Sequence, residues 1–234
     1  MFHVRVSTIE RFRAVLQTDY AFEHELIDSI RAGQDGPAGN WRMAAGEAWH
    51  RVLESDDPLP ADPDLRPDDM ASLTEYQGGV TVGFGEFSFD AEAVSRARLV
   101  RGPGLMEVTG RKIYSTEHGP VLVKGTADHV HGRRIRDAKT KFGDPDPRDY
   151  ELSLQWRFYL DIFDADQFTY DLFEFRDPSD EGFCELKNVV VFSFWRYSNL
   201  ARELAEWVRA FADWAGRRNL LGDLERARFA GGRP

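Results

Sequence analysis

The sequence predicts one α/β domain over residues 1–234, with a central mixed β-sheet flanked by α-helices. The first ground is the order of its patterns: helical spacing at the N-terminus, three strand patterns, a helix, two strands and a last helix. The second is composition. A chain of 234 residues, 42% hydrophobic and 13% aromatic, holds enough apolar material for one substantial core. Collagen-like, disordered and small disulfide-rich classes are excluded by the same figures.

Taken in order, Ser7-Thr8-Ile9-Glu10 has the form of a capping box, a hydroxyl followed three residues on by a carboxylate. It opens a stretch with Phe12, Leu16, Phe22, Leu26, Ile27 and Ile30 at helical spacing, one long helix or two broken ones, ending near Gly33. A second helix is expected from Trp41 to Glu54, with Trp41, Ala45, Ala48, Trp49 and Val52 on one side. The Asp- and Pro-rich segment from Ser55 to Asp69 reads as an acidic surface loop.

From about Val80 the character changes. Met106–Tyr114, Val121–Val130 and Arg134–Lys139 read as strands joined by turns at Glu117-His118-Gly119 and His131-Gly132. A helix follows from about Asp149 to Phe163, then strands over Gln167–Arg176 and Phe183–Phe194. The last helix carries Leu200, Leu204, Trp207, Val208, Phe211 and Trp214 and should stop near Gly216. The divisions are thus a helical part at about 7–54, an α/β core at about 80–218 and a short Arg-containing tail at 219–234.

Cys184 is the only cysteine, so neither an internal disulfide nor a Cys-rich metal centre can form. No signal-peptide core and no apolar run of membrane-spanning length is legible, which makes a cytoplasmic protein without membrane contact the expectation. The formal net charge of −10 argues against a protein that coats nucleic acid over most of its surface. It leaves room for a nucleic-acid enzyme, because a cation bound by carboxylates reverses the local field.

The chemistry concentrates in Gly125-Thr126-Ala127-Asp128 and Ile135-Arg136-Asp137-Ala138-Lys139-Thr140. Alternation along a strand puts Asp137 and Lys139 on one side and Ala138 on the other. Pairing of the two strands through the His131-Gly132 turn would bring two carboxylates and an ammonium together. That set suits a hard cation such as Mg²⁺, with a lysine beside a metal-bound water. Asp-x-Lys alone is common on solvated strand faces.

Further along, His50 stands one turn after Gly46, whose small size leaves room for close approach, and Gln155 and Tyr159 share a helix face. On spacing alone, each is either a functional group or a packed residue. Glu47 and Glu107 are candidates for another carboxylate. His129 and His131 fall on the face opposite Asp128 and read as surface residues. Arg133, Lys141 and Arg157 are candidates for phosphate contacts, and Trp41, Trp49, Trp156 and Tyr159 for base stacking, although most of these aromatics read as core. The tail arginines 217, 218, 226, 228 and 233 read as solvated.

These segments resemble the PD-(D/E)XK nuclease superfamily, in particular its RecB- and Cas4-like exonuclease branch. The resemblance runs through Gly46-Glu47-Ala48-Trp49-His50, Gly125-Thr126-Ala127-Asp128, Asp137-Ala138-Lys139-Thr140 and Gln155-Trp156-Arg157-Phe158-Tyr159, in the family's order, over roughly residues 7 to 163. It implies a restriction-endonuclease-like core and a Mg²⁺- or Mn²⁺-dependent deoxyribonuclease, favouring an exonuclease that leaves 5′-phosphates. Asp128, Asp137, the Ala138 carbonyl and His50 would be metal ligands, with Asp128, Asp137 and Lys139 catalytic. Gln155, Tyr159 and Thr140 would contact the strand.

The chain departs from Cas4-like proteins in lacking the four cysteines of an iron–sulfur cluster. It also lacks a Walker A motif, so a helicase or recombination partner would have to supply unwinding. The acidic balance is compatible with a homo-oligomer or partner that provides basic surface. Two other readings stand beside the nuclease: a non-catalytic binding or assembly subunit, and a metal hydrolase of another phosphoester.

Overall fold

The structure, a computed structural model, describes residues 1–17, 20–33, 40–54, 72–76 and 79–227. The expected acidic loop of Ser55–Asp69 lies outside them, as do Arg228 and Arg233. A six-stranded mixed sheet forms the centre, with helices on both faces. Among the described residues no helix is long and apolar enough to cross a membrane.

The chain enters the sheet at once. Strand β1 (Phe2–Arg5), which the sequence reading did not anticipate, runs parallel to β6 (Gly119–His131), with Val4 opposite Val123 and both buried. Helix α1 (Val6–Gln17) starts directly from β1, so Ser7 lies inside its first turn rather than ahead of it. Glu10 completes no capping box. Its carboxylate accepts the Leu154 N–H at 2.5 Å and pairs with Arg13. The N-terminal helical stretch is two helices, α1 and α2 (Tyr20–Ala32), and α3 (Trp41–Glu54) has the expected bounds.

A small four-stranded sheet follows that the sequence reading did not resolve. It contains β2 (Ser72–Tyr76), β3 (Gly79–Phe84), β4 (Phe87–Asp90) and the later two-residue β9 (Phe183–Cys184). Helix α4 (Ala91–Arg101), also unanticipated, begins at Asp90, whose carboxylate accepts from the N–H groups of Glu92 and Ala93. Its Arg98 and Arg101 donate to the carbonyls of Val52 and Leu53, satisfying two of the free acceptors at the end of α3.

The long hairpin β5 (Leu105–Thr116), β6 and β7 (Arg134–Phe142) matches the three expected strands. The expected Asp149–Phe163 helix is broken into α5 (Pro147–Leu152) and α6 (Gln155–Ile162) at Ser153 and Leu154, where Glu10 takes the Leu154 N–H. Strand β8 (Gln167–Phe175) is buried from Phe168 to Phe175, the polar Thr169, Asp171 and Glu174 included, so it is covered on both sides. Strand β10 (Leu186–Trp195) forms one edge, and α7 (Leu200–Arg217) and α8 (Leu221–Arg226) close the chain.

Alternation along β8 divides the core in two. Phe168, Tyr170 and Leu172 join the larger cluster with α1, α6 and α7, while Phe173 and Phe175 join the smaller one with α3 and α4. Trp49 anchors the smaller cluster, its ring 4.8 to 5.0 Å from those of Phe89, Phe173 and Phe175. Such a fully buried aromatic contributes roughly 3 kcal/mol and fixes where α3 crosses the sheet.

The topology leaves a gap. β1 pairs with β6 along Val121–Lys124, and β7 pairs with it only along His129–His131. Both antiparallel β7 and parallel β1 use the edge of β6 not taken by β5, end to end. Residues 125–128 of β6 therefore have no strand beside them on that edge.

Candidate active site

The gap is filled by side chains. Asp128 Oδ2 accepts the backbone N–H of Ala138 at 3.0 Å, taking the place of the ladder bond that β6 no longer supplies. An extended residue turns its N–H and C=O toward the same neighbour, so the Ala138 carbonyl faces this gap as well. Across the opening, Tyr159 donates its hydroxyl to the Thr126 carbonyl at 2.6 Å. A Cβ on Gly125 would lie 2.6 Å from the Tyr159 ring, so the Gly-Thr-Ala-Asp segment needs glycine there to let α6 approach.

Asp137 is buried, at 1% exposure. Gln155 Nε2 donates to its Oδ1 at 2.9 Å, while Oδ2 faces Lys139 Nζ at 2.6 Å and accepts no well-formed hydrogen bond. Burial, then the neighbouring Asp128, raises the Asp137 pKa above the usual carboxylate range; Lys139 opposes that rise. Asp128 is raised too, chiefly by burial. Burial works against charge on Lys139, but Asp137 and Asp128 outweigh it and hold the ammonium firmly protonated.

His50 reaches the same place from α3, its Nδ1 3.6 Å from Asp128 Oδ2. Burial and the Lys139 charge lower its pKa, so at neutral pH the contact is between a carboxylate and a neutral ring, not an ion pair. Gly46 does make room, but for Thr140: a Cβ there would stand 2.7 Å from Thr140 Oγ1. Thr140 thus seats α3 against β7.

The structure therefore brings His50, Asp128, Asp137, Ala138, Lys139, Gln155 and Tyr159 together. Glu54, one turn after His50, and Glu107 on β5 also reach the site. Each disfavours the charge of Asp128, and the pKa of Glu107 is raised by burial and by Glu54. Glu107 adopts φ 50°, unusual for a residue other than glycine. The His50-x-x-x-Glu54 spacing was the available signal for Glu54. Glu47 is exposed on the other side of α3.

Other expectations are corrected. His129 is not a surface residue: it is 2% exposed, because Gly104 and α4 cover it. Arg133 is bound by Asp164 and Asp166, and Arg157 by the carbonyls of Leu152 and Ser153, so neither reaches toward the site. Trp49 and Trp156 are core residues, in line with the expectation for most of the candidate stacking aromatics. Arg5, Arg11 and Lys124 line a cavity of about 470 Å³ with Lys139, Gln155 and Tyr159, while Arg101 and Arg136 line another with His50, Asp128 and Ala138.

Among the described residues no three acidic, histidine or cysteine side chains stand in a ready-made metal cage. The donor set nevertheless has the right chemistry for a hard divalent cation: two carboxylates, a backbone carbonyl and a neutral imidazole. The buried Asp137 Oδ2, with only an ammonium before it, is the atom with unused acceptor capacity.

No protein-family model matches the chain, and no curated protein matches it. Among solved structures, the crystal structure of SSO0001 is similar at 12% identity and a TM-score of 0.47, covering 89% of this chain and 74% of that one. LHK-Exo in complex with dAMP is similar at 16% identity and a TM-score of 0.46, covering 95% of this chain and 90% of that one. The alkaline exonuclease LHK-Exo from Laribacter hongkongensis, in another structure, gives 15% identity and a TM-score of 0.41, with 96% and 90% covered.

Proposed function

We propose that the chain is a metal-dependent DNA nuclease of the PD-(D/E)XK type, an exonuclease whose products carry 5′-phosphates. The observation that carries this reading is Lys139 held 2.6 Å from buried Asp137, with Asp128 anchored to the intervening Ala138 N–H. That geometry gives the Asp…Asp-x-Lys order of the sequence a single place of action. The branch, RecB- and Cas4-like, rests on His50 and on the Gln155 and Tyr159 pair.

In this reading Asp128, Asp137, the Ala138 carbonyl and His50 hold Mg²⁺ or Mn²⁺, which supplies Lewis acidity and lowers the pKa of bound water. Gln155 fixes the Asp137 carboxylate by its Oδ1, leaving Oδ2 directed at the site. His50 stays neutral and therefore adds a donor without adding repulsion. Lys139, its Nζ 2.6 Å from Asp137, would orient the attacking water by donating a hydrogen bond and offset charge accumulating on the phosphoryl oxygens.

The test is cleavage of linear and closed-circular DNA with Mg²⁺, Mn²⁺ or EDTA, comparing the wild type with Lys139→Ala after circular dichroism has shown both to be folded. Metal-dependent loss of linear DNA alone, absent in the variant, is expected. A folded, metal-supplied wild type that cuts neither substrate overturns the reading, as does a variant with unchanged turnover.

A further inference from the structure

Helix α6 begins without a cap of its own. Leu154, at the cap position, offers no side-chain acceptor, and a helix cannot pair its own first N–H groups. Two outside groups take them. Glu10 of α1 accepts the Leu154 N–H at 2.5 Å, and Ser153 Oγ accepts the Gln155 N–H at 3.1 Å. The Ser153 hydroxyl lies 3.3 Å from the same Glu10 oxygen, Oε2, and 3.3 Å from the Tyr170 hydroxyl. A carboxylate only accepts, so the serine donates to Glu10 and accepts from Gln155 and Tyr170, which uses its whole capacity. Glu10 Oε1 is left for Arg13, whose Nε donates to it at 2.8 Å.

This chain of contacts ends on Asp137. Gln155, the first residue of α6, donates its side-chain amide to Asp137 Oδ1 at 2.9 Å. Tyr170 on β8 stands opposite Asp137 on β7 in the parallel register. Ser153 therefore ties the strand neighbour of Asp137 to the residue that holds its Oδ1. With Oδ1 held, Oδ2 is left facing Lys139. A shift in the first turn of α6 would carry the Gln155 amide off Oδ1 and let the carboxylate rotate. Glu10 lines the same cavity as Lys139 and Gln155, but its two oxygens are spent on α6, Ser153 and Arg13.

We propose that Glu10 is a positioning residue for the metal site: with Ser153 it fixes the first turn of α6, and through it the Gln155 amide that orients Asp137. This rests on the nuclease reading for the role of Asp137 as a metal ligand, and the arms of the test separate the two. Glu10 acts only through Gln155. A merely structural Glu10 would hold α1 against α6 and change stability alone.

The experiment is calorimetric titration with Mn²⁺ of wild type, Glu10→Gln, Glu10→Ala, Gln155→Ala and the double Glu10→Ala/Gln155→Ala, each first shown to be folded by circular dichroism. Gln155→Ala removes the direct partner of a ligating carboxylate and is expected to raise Kd about tenfold. Glu10→Ala should raise it several-fold, and the double should match Gln155→Ala alone. Glu10→Gln, whose amide oxygen still accepts the Leu154 N–H, should stay near wild type. Metal-free proton–nitrogen correlation spectra give a second readout: the Gln155 side-chain amide signal, identified by its loss in Gln155→Ala, should move in Glu10→Ala and return in Glu10→Gln. If Glu10→Ala does not fold, Ser153→Ala replaces it, with the same weakening expected. A Kd unchanged in the alanine variant, or raised equally with and without Gln155, overturns the proposal, and so does an unmoved amide signal. A wild type that binds no Mn²⁺ while the amide responds as expected sinks the metal reading and leaves the positioning of Gln155 standing.

Discussion

Asp128 accepts the N–H of Ala138 at 3.0 Å where β6 and β7 have ceased to pair. One side chain therefore does two things: it closes the sheet across a gap, and it holds a carboxylate beside Asp137 and Lys139. The arrangement separates the fold's need for an acceptor from the site's need for a charge. Asn at this position keeps a carbonyl that can take the same N–H.

Asp128→Asn should therefore fold and lose its response to metal. If Mg²⁺ or Mn²⁺ binds the native wild type, saturation at a hundred times Kd raises stability by about 2.7 kcal/mol. Differential scanning calorimetry in Mn²⁺ against EDTA should show the upward shift in wild type and little in Asp128→Asn. An equal shift in both proteins would remove Asp128 from the ligand set.

Gly46→Ala tests how α3 is seated. The new Cβ would stand 2.7 Å from Thr140 Oγ1, with Thr140 Cβ ordinary at 4.0 Å, so the conflict is with one atom. The expected cost is about 1–3 kcal/mol, typical of overpacking. Thr140→Ala in the same chain should recover most of it, since the hydroxyl is gone. Chemical denaturation of the two singles and the double gives the coupling; additive losses would mean that Gly46 matters for another reason.

Legibility followed the range of the interactions. Helix α3 and the β5–β6–β7 hairpin were readable because their periodicity and turns are local. Asp137 and Lys139 were readable as same-side neighbours by alternation alone. Strand β1 was not, since four residues become a strand only when the open edge of β6 is present. His129 was misplaced because alternation tells which face a residue takes, whereas its cover comes from Gly104 and α4, distant features the pattern does not contain. The break between α5 and α6 likewise depends on Glu10, more than a hundred residues earlier.

Asp161 is a buried carboxylate whose two partners can be separated. Lys112 Nζ and Tyr114 Oη each donate to it at 2.7 Å, and the lysine side chain is 40% exposed. Removing the acid lets Lys112 return to water but strands the Tyr114 hydroxyl. Asp161→Ala should cost about 3 kcal/mol, and adding Tyr114→Phe should restore part of that rather than add to it. Urea denaturation of the three variants decides; a double that loses the sum of the singles would refute the shared origin.

Glu23 ties α2 to α7, accepting from Trp214 Nε1 at 2.8 Å and from Arg218 at 2.7 and 2.9 Å. The Trp214 bond first, then Arg218, holds its pKa below the ordinary glutamate value. A depressed carboxylate binds protons less readily in the folded chain than in the unfolded one. Its stabilisation is complete above the unfolded pKa of about 4.3 and is lost as pH falls through the folded value. Glu23→Gln should thus cost about 1 kcal/mol at neutral pH, Arg218 being half exposed, and the deficit should shrink toward pH 3. Urea unfolding free energies measured from pH 7 to pH 3 should converge for the two proteins; curves that stay parallel would show that the Glu23 charge contributes nothing to the α2–α7 contact.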